Sequence, residues 1–185
     1  VRSRRQRQMC IRDSPGALPE FDALTSYGPF GHLAGAMGHR APILRNAARM
    51  LAELRDEGVL RKRYLELALV AVSHLNQCDY CVAHHGPMLT VEGVSKEGMM
   101  NLLDYENHPE LDDVDKLVVE YAKQVTLDPN RTRDAIFERL RTHFSNAEIV
   151  ELTWRIALCG AFNRFNDVLQ LEIEDDAHAI LAAAE

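Results

Sequence analysis

Between residues 64 and 75 the chain reads Tyr-Leu-Glu-Leu-Ala-Leu-Val-Ala-Val-Ser-His-Leu, apolar on every helical face. A helix that is apolar all round is buried, not laid on a surface, so a core helix is predicted over residues 61–75. Other stretches are one-sided. Ile43, Leu44, Ala47, Met50, Leu51 and Leu54 keep helical spacing behind Pro42, a residue suited to a first turn, and Gly58 ends that helix. Val114, Leu117, Val118, Tyr121, Ala122 and Val125 predict an amphipathic helix over 113–126. Ile136, Phe137 and Leu140 predict a shorter one over 132–142. Ser95 caps a short helix to about residue 103. Ser145-Asn146-Ala147-Glu148 fits a capping box and opens a long, mostly apolar helix to about residue 168. Residues 24–37 hold one helix broken at Gly28-Pro29. No stretch reads convincingly as a strand or a repeat. The expectation is an all-α, single-domain fold of about seven to eight helices.

The core helix breaks at Asn76-Gln77, where Asn76 is expected to take the left-handed conformation. Cys78-Asp79-Tyr80-Cys81 follows, then His84 and His85. A second core helix, beginning near Cys78 or Asp79 and kinked at Gly86-Pro87, carries these residues. Both thiols then sit in a first turn, where unpaired N–H groups and the helix dipole favour a thiolate. CxxC thiols so placed have pKa values of roughly 3.5–7.5 instead of about 8.5. His85 shares a helix face with Cys81 and can take its proton; His84 lies close to it.

Glu66 is the only charge between residues 64 and 72. A buried carboxylate must be paired, hydrogen-bonded or protonated, and its pKa rises if no cation stands beside it. Ser73 lies at nearly the same helix angle and extends a polar stripe toward the thiols. Glu66 is therefore either a proton carrier for them or half of a structural salt bridge.

Other chemistries compete for the same residues. Cys78, Cys81 and His85, with His74 or His84 as fourth ligand, would complete a zinc site, though no second CxxC or HxxxH follows. A haem attachment motif needs His where Val82 stands. Cys159 reads as a packed core thiol. Arg155, Asn163, Arg164 and Asp167 either line the site or make subunit contacts, and His32 and His39 read as solvent or packing residues.

The 185 residues, 46% of them hydrophobic, make one domain that buries about two-thirds of its unfolded surface. A net charge of −7, with no basic patch in the body, excludes nucleic acid as the expected partner. No run approaches the roughly 18 apolar residues of a membrane span. Arg2, Arg4, Arg5 and Arg7 are not followed by an apolar signal region, so a cytoplasmic location is expected. In that setting a CxxC reads as redox or metal chemistry, not as a staple. Residues 1–14, including Cys10, are expected to be a disordered or artefactual segment, residues 15–172 the domain, and residues 173–185 an acidic tail.

Glu66, Cys78, Cys81 and His85, at this spacing, resemble the alkyl hydroperoxidase D (AhpD) / carboxymuconolactone decarboxylase superfamily. The words Val-Ser-His-Leu-Asn-Gln-Cys-Asp-Tyr-Cys-Val-Ala-His-His and Phe162-Asn163-Arg164-Phe165-Asn166-Asp167 are similar to its peroxidase-related branch. The resemblance covers roughly residues 29–172. It departs at Tyr80, where some members carry a histidine. It implies an AhpD-like fold and a CxxC-dependent peroxidase that reduces alkyl hydroperoxides without a cofactor or metal. It implies Cys81 as attacking thiol, Cys78 as resolving thiol, and Glu66 with His85 as proton relay, with room for a linking water. The dipole argument alone would favour Cys78 as attacker. The implied partners are a peroxide, a dithiol protein or small thiol as reductant, and further copies of the chain in a trimer or hexamer. The alternatives are a lactone decarboxylase-type lyase, which needs no thiol pair, and a zinc-held or redox-sensing protein without enzymatic activity.

Overall fold

A computed structural model describes residues 18–26 and 28–175; residues 1–14 with Cys10, and residues 176–185, lie outside them. Among the described residues there are nine α-helices and no strand. They are α1 Leu18–Thr25, α2 Gly31–Gly38, α3 Ala41–Asp56, α4 Lys62–Leu75, α5 Asp79–Val91, α6 Lys96–Met100, α7 Asp113–Leu127, α8 Asp134–Arg141 and α9 Asn146–Leu169. The count passes eight because Gly28-Pro29 separates two helices outright.

Helix α4 is the axis. Residues 65–73 are all buried, Glu66 and Ser73 included. The helix packs against α5, α7 and α9, and Leu67, Val70, Val118, Leu152 and Ile156 form the centre of the larger core. Each such side chain contributes about 1.5–3 kcal/mol on burial. A second, smaller core gathers Leu24, Phe30, Leu33 and Leu44 from α1–α3. Cys78, Tyr80 and Cys81 belong to it, with Phe162, Phe165, Leu171 and Ile173 packed alongside. The thiol pair therefore sits in the second core.

Side-chain caps fall where the sequence places them. Ser95 Oγ accepts from the Gly98 N–H, and Ser145 with Glu148 closes a capping box on α9. Asp112 and Asp115 form another on α7. Gly58 is required after α3, because a Cβ there would run into the Leu54 carbonyl. The Arg63 guanidinium grips Asp115 through Nε and Nη2, and its Nη1 donates to the Glu92 carbonyl at 2.6 Å. That side chain ties the start of α4 to the start of α7 and the end of α5.

The turn between α4 and α5 differs from expectation. Asn76 keeps a right-handed conformation, and Gln77 takes the left-handed one, at φ 57°. The Gln77 N–H donates to the His74 carbonyl and the Cys78 N–H to the Ser73 carbonyl, a Schellman arrangement. Both bonds form only when the residue one beyond the cap is left-handed, so the role moves on by one, from Asn76 to Gln77. Cys78 is at once the last residue of that motif and the N-cap of α5. Helix α5 continues through Pro87.

The same turn recurs at the end of α9. Gln170 is left-handed at φ 53°, and the Leu171 N–H donates to the Asn166 carbonyl at 3.0 Å. The chain doubles back, so Ile173 and Glu174, expected in the tail, pack against the second core and its neighbours.

Candidate active site

Each expected site residue is placed by the α4–turn–α5 unit. Glu66 projects from the second turn of α4. Its Oε2 lies 2.9 Å from His85 Nδ1, with the two side chains 9% and 18% exposed. The partner that the buried carboxylate requires is thus His85 directly, and no linking water is needed. Phe30 leans on the same imidazole, with ring centroids 6.3 Å apart. With Nδ1 committed to the carboxylate, Nε2 is the nitrogen available to a proton on the cavity side.

Cys81 lies in the first turn of α5, one turn before His85. Cys78 and Cys81 are free thiols, both buried. They are not equivalent. Cys81 lines an apolar cavity of about 60 Å³, together with Phe30, Leu33, Leu69, Phe162 and His85. Cys78 is fully buried and does not line it. The Cys81 sulfur beside it, burial, and the Asp167 carboxylate push the Cys78 thiol far up, so Cys78 holds its proton. A water occupies roughly 10–15 Å³ in this measure, so the cavity has room for a compact organic molecule. A wider cleft of about 450 Å³ shares Leu65, Glu66 and Arg155 with it.

Helix α9 supplies what sequence reasoning missed. Asn166 Nδ2 donates to Cys81 Sγ at 3.3 Å, and Asn166 is 2% exposed. The signal was present: Asn163 and Asn166 lie three apart on one face of an apolar helix, and a buried amide needs partners. Of the other candidates there, Arg155 lines the cavity. Asn163 bonds Asn76 and Ser73 instead, at 2.8 and 3.4 Å. Arg164 turns outward and donates to its own helix, at the Gly160 carbonyl. Cys159 also reaches the cavity, but burial pushes its thiol up to about 12.

The remaining histidines do other work. His74 Nε2 meets the Met99 carbonyl at 3.1 Å, and burial lowers its pKa. His84 is stacked between Phe30 and Tyr80, with ring centroids 4.9 and 4.3 Å away. Its Nδ1 lies 2.6 Å from the Tyr80 carbonyl, and its Nε2 lies 2.8 Å from Glu174 Oε2. Tyr80 Oη and the His32 backbone N–H donate to Glu174 Oε1, at 2.8 and 2.7 Å. Burial raises the Glu174 pKa, but these bonds from His84, His32 and Tyr80 outweigh it and hold the carboxyl below its usual range. His32 thus keeps the packing role expected of it, in a clasp that seats residues 171–174 against α2 and α5. Neither His74 nor His84 turns toward the thiols, and among the described residues no three His, Cys, Asp or Glu side chains are placed to hold a metal ion.

The site defines a class: an all-α protein with a buried CxxC whose second thiol faces an apolar cavity beside a Glu–His couple. Residues 41–105 match the model of the Carboxymuconolactone decarboxylase family. Among curated proteins, the Uncharacterized protein YnjA of Escherichia coli (strain K12) is 26% identical over 105 residues, 57% of this chain and 58% of that protein. Among solved structures, the alkylhydroperoxidase AhpD core of an uncharacterized peroxidase-related protein from Ralstonia eutropha JMP134 superposes with a TM-score of 0.69 at 24% identity, over 94% of this chain and 86% of that one. The debrominase Bmp8, in complex with 2,3,4-tribromopyrrole, superposes with a TM-score of 0.75 at 18% identity, over 94% of this chain and 93% of that one. Residues 41–105 are thus similar to that family, and the chain shares the all-α fold of AhpD-like proteins. Among the described residues no helix is long and apolar enough to cross a membrane.

Proposed function

We propose that this protein is a CxxC-dependent peroxidase that reduces apolar hydroperoxides at Cys81 and is regenerated by a dithiol. The carrying observation is the asymmetry of the thiols: Cys81 faces the cavity, while Cys78 is fully buried away from it. That asymmetry favours Cys81 as attacking thiol over the assignment the dipole alone would make.

His85 Nε2 takes the Cys81 proton, and the Glu66 carboxylate on Nδ1 stabilises the imidazolium that results. The thiolate attacks the terminal oxygen of ROOH; an S–O bond forms, the O–O bond breaks, and RO⁻ leaves. His85 returns its proton to RO⁻, giving ROH and a sulfenic acid on Cys81. Cys78 attacks that sulfur, an S–S bond forms, and water leaves with the Cys78 proton. A dithiol then reduces the disulfide and is itself oxidised. A second copy of the chain belongs to this proposal as well: Val150, Trp154 and Val168 stand exposed along α9, apolar surface of the kind that subunits cover.

The test is thiol counting with mass mapping, before and after one equivalent of cumene hydroperoxide, with 2,3,4-tribromopyrrole as comparison substrate. The expected result is loss of two thiols, mapped to a Cys78–Cys81 disulfide, with Cys159 untouched. Two free thiols at Cys78 and Cys81 after peroxide treatment would overturn the reading. Turnover by a Cys78→Ser, Cys81→Ser double variant would favour a lyase, which needs no thiol pair.

A further inference from the structure

One buried polar atom beside the reacting sulfur has no partner. Asn166 spends its Nδ2 on Cys81 Sγ, while its Oδ1 has no hydrogen-bond partner at all. The residue is 2% exposed and lines the cavity. A buried carbonyl oxygen without a hydrogen bond is costly to keep, so such a group beside a reactive atom points to a ligand that completes it. A thiolate sulfur only accepts hydrogen bonds, which fixes the amide with its NH₂ toward the sulfur and its oxygen away. The two limbs of one planar amide stand side by side. A donor held on Oδ1 is therefore held next to Cys81 Sγ.

We infer that Asn166 is a substrate-binding residue that accepts the O–H of a hydroperoxide and so presents its terminal oxygen to Cys81. This rests on the peroxidase reading and adds its specificity. The terminal oxygen is the one the sulfur attacks. Its hydrogen stays on it through the step, first as ROO–H and then as the S–OH of the sulfenic acid. Asn166 Oδ1 accepts that hydrogen in both states, while Nδ2 holds the sulfur in line. The apolar walls from Phe30, Leu33, Leu69 and Phe162 take the R group. The substrate class is a compact hydroperoxide with an apolar R group and a free O–H; a dialkyl peroxide, which has no donor, is excluded by this amide.

The test compares two reactions at the same thiol. Stopped-flow rates are measured for reduced protein with cumene hydroperoxide and with iodomethane, which carries neither O–H nor N–H, and each product is mapped to Cys81. In Asn166→Leu the ratio of the hydroperoxide rate to the iodomethane rate is expected to fall at least tenfold. An unchanged ratio, with both rates lowered together, would overturn the inference and leave Asn166 as a support for the sulfur alone. If Asn166→Leu does not fold, the wild type decides. Its preference for cumene hydroperoxide over the methyl cumyl peroxide lacking O–H should exceed that of a free small thiol at least tenfold, and an equal preference refutes the inference. A wild type that is alkylated at Cys81 but consumes no hydroperoxide sinks the peroxidase reading itself, which keeps the two failures apart.

Discussion

Replacing Glu66 by Gln removes one charge and almost no volume from the site. Glu66 Oε2 stands 2.9 Å from His85 Nδ1, and both side chains are largely enclosed, so solvent screens the pair little. Two unit charges about 4 Å apart attract by roughly 4 kcal/mol at an effective dielectric constant near 20. That attraction exists only while His85 carries the Cys81 proton, so it acts on the attack and not on the resting site. At about 1.36 kcal/mol per tenfold in rate, its full loss is bounded near 10³-fold. Gln keeps a neutral hydrogen bond to Nδ1, worth roughly 0.5–1.5 kcal/mol, which brings the expected loss to about 10²-fold. Folding stability should change by no more than about 1 kcal/mol, a Tm shift of roughly 2–4 °C for a chain of this length. The assay is single-turnover thiol oxidation by cumene hydroperoxide, with a thermal melt on the same sample. A stable Glu66→Gln protein with wild-type rate would refute the relay. A protein that loses many degrees of Tm but keeps its rate per folded molecule would show Glu66 to be structural.

Three other outcomes follow from the structure. Cys159, held up to about 12 by burial, should resist iodoacetamide at pH 8 in the native protein and react only on unfolding, as read by mass mapping. The pH dependence of Glu174 has a definite sign. Its folded pKa lies below its ordinary 4.5, so ionised Glu174 stabilises the fold above that value, and the contribution is lost as pH falls through the lower folded pKa. Urea midpoints from pH 6 to pH 3 should therefore fall more steeply in the wild type than in Glu174→Gln; parallel curves would disprove the clasp. Asp115→Ala leaves Arg63 without its carboxylate. Since the Arg63 side chain keeps 19% exposure, the cost should be about 1–3 kcal/mol, below the roughly 3–5 kcal/mol of a fully buried pair, and a Tm unchanged within 1–2 °C would contradict that account.

The parts of the site that a reader of the sequence can find lie close along the chain. Glu66, Cys78, Cys81 and His85 come from one helix–turn–helix; helical periodicity puts Cys81 and His85 on one face of α5, and the tight turn at Asn76–Gln77 folds that helix back on α4, where Glu66 sits. The local reading slips by one residue at Gln77, because which residue turns left-handed is decided by the pair of carbonyls to be satisfied, not by propensity. Asn166 and Glu174 stand 85 and 94 positions from their partners Cys81 and Tyr80. Their roles depend on where α9 crosses α5 and on how the chain turns at Gln170, and neither angle is written in a local pattern. The inequality of the two thiols was likewise hidden. Spacing makes them equal members of a motif, and only the walls of the cavity separate them.

The clasp at Glu174 also bears on the order in which the molecule is made. A ribosome releases the chain from its N-terminus, so the thiols and their Glu–His couple emerge long before residue 174. Until then Tyr80 and His84 lack the carboxylate that both contact, and Leu171 and Ile173 are missing from the wall around the thiol pair. A chain that ends before residue 171 already carries Glu66, Cys78, Cys81 and His85 but lacks the side chains that wall the thiol pair on that side. Shelter of those sulfurs from oxidants and mispairing partners is therefore completed last, when α9 turns at Gln170 and the clasp closes.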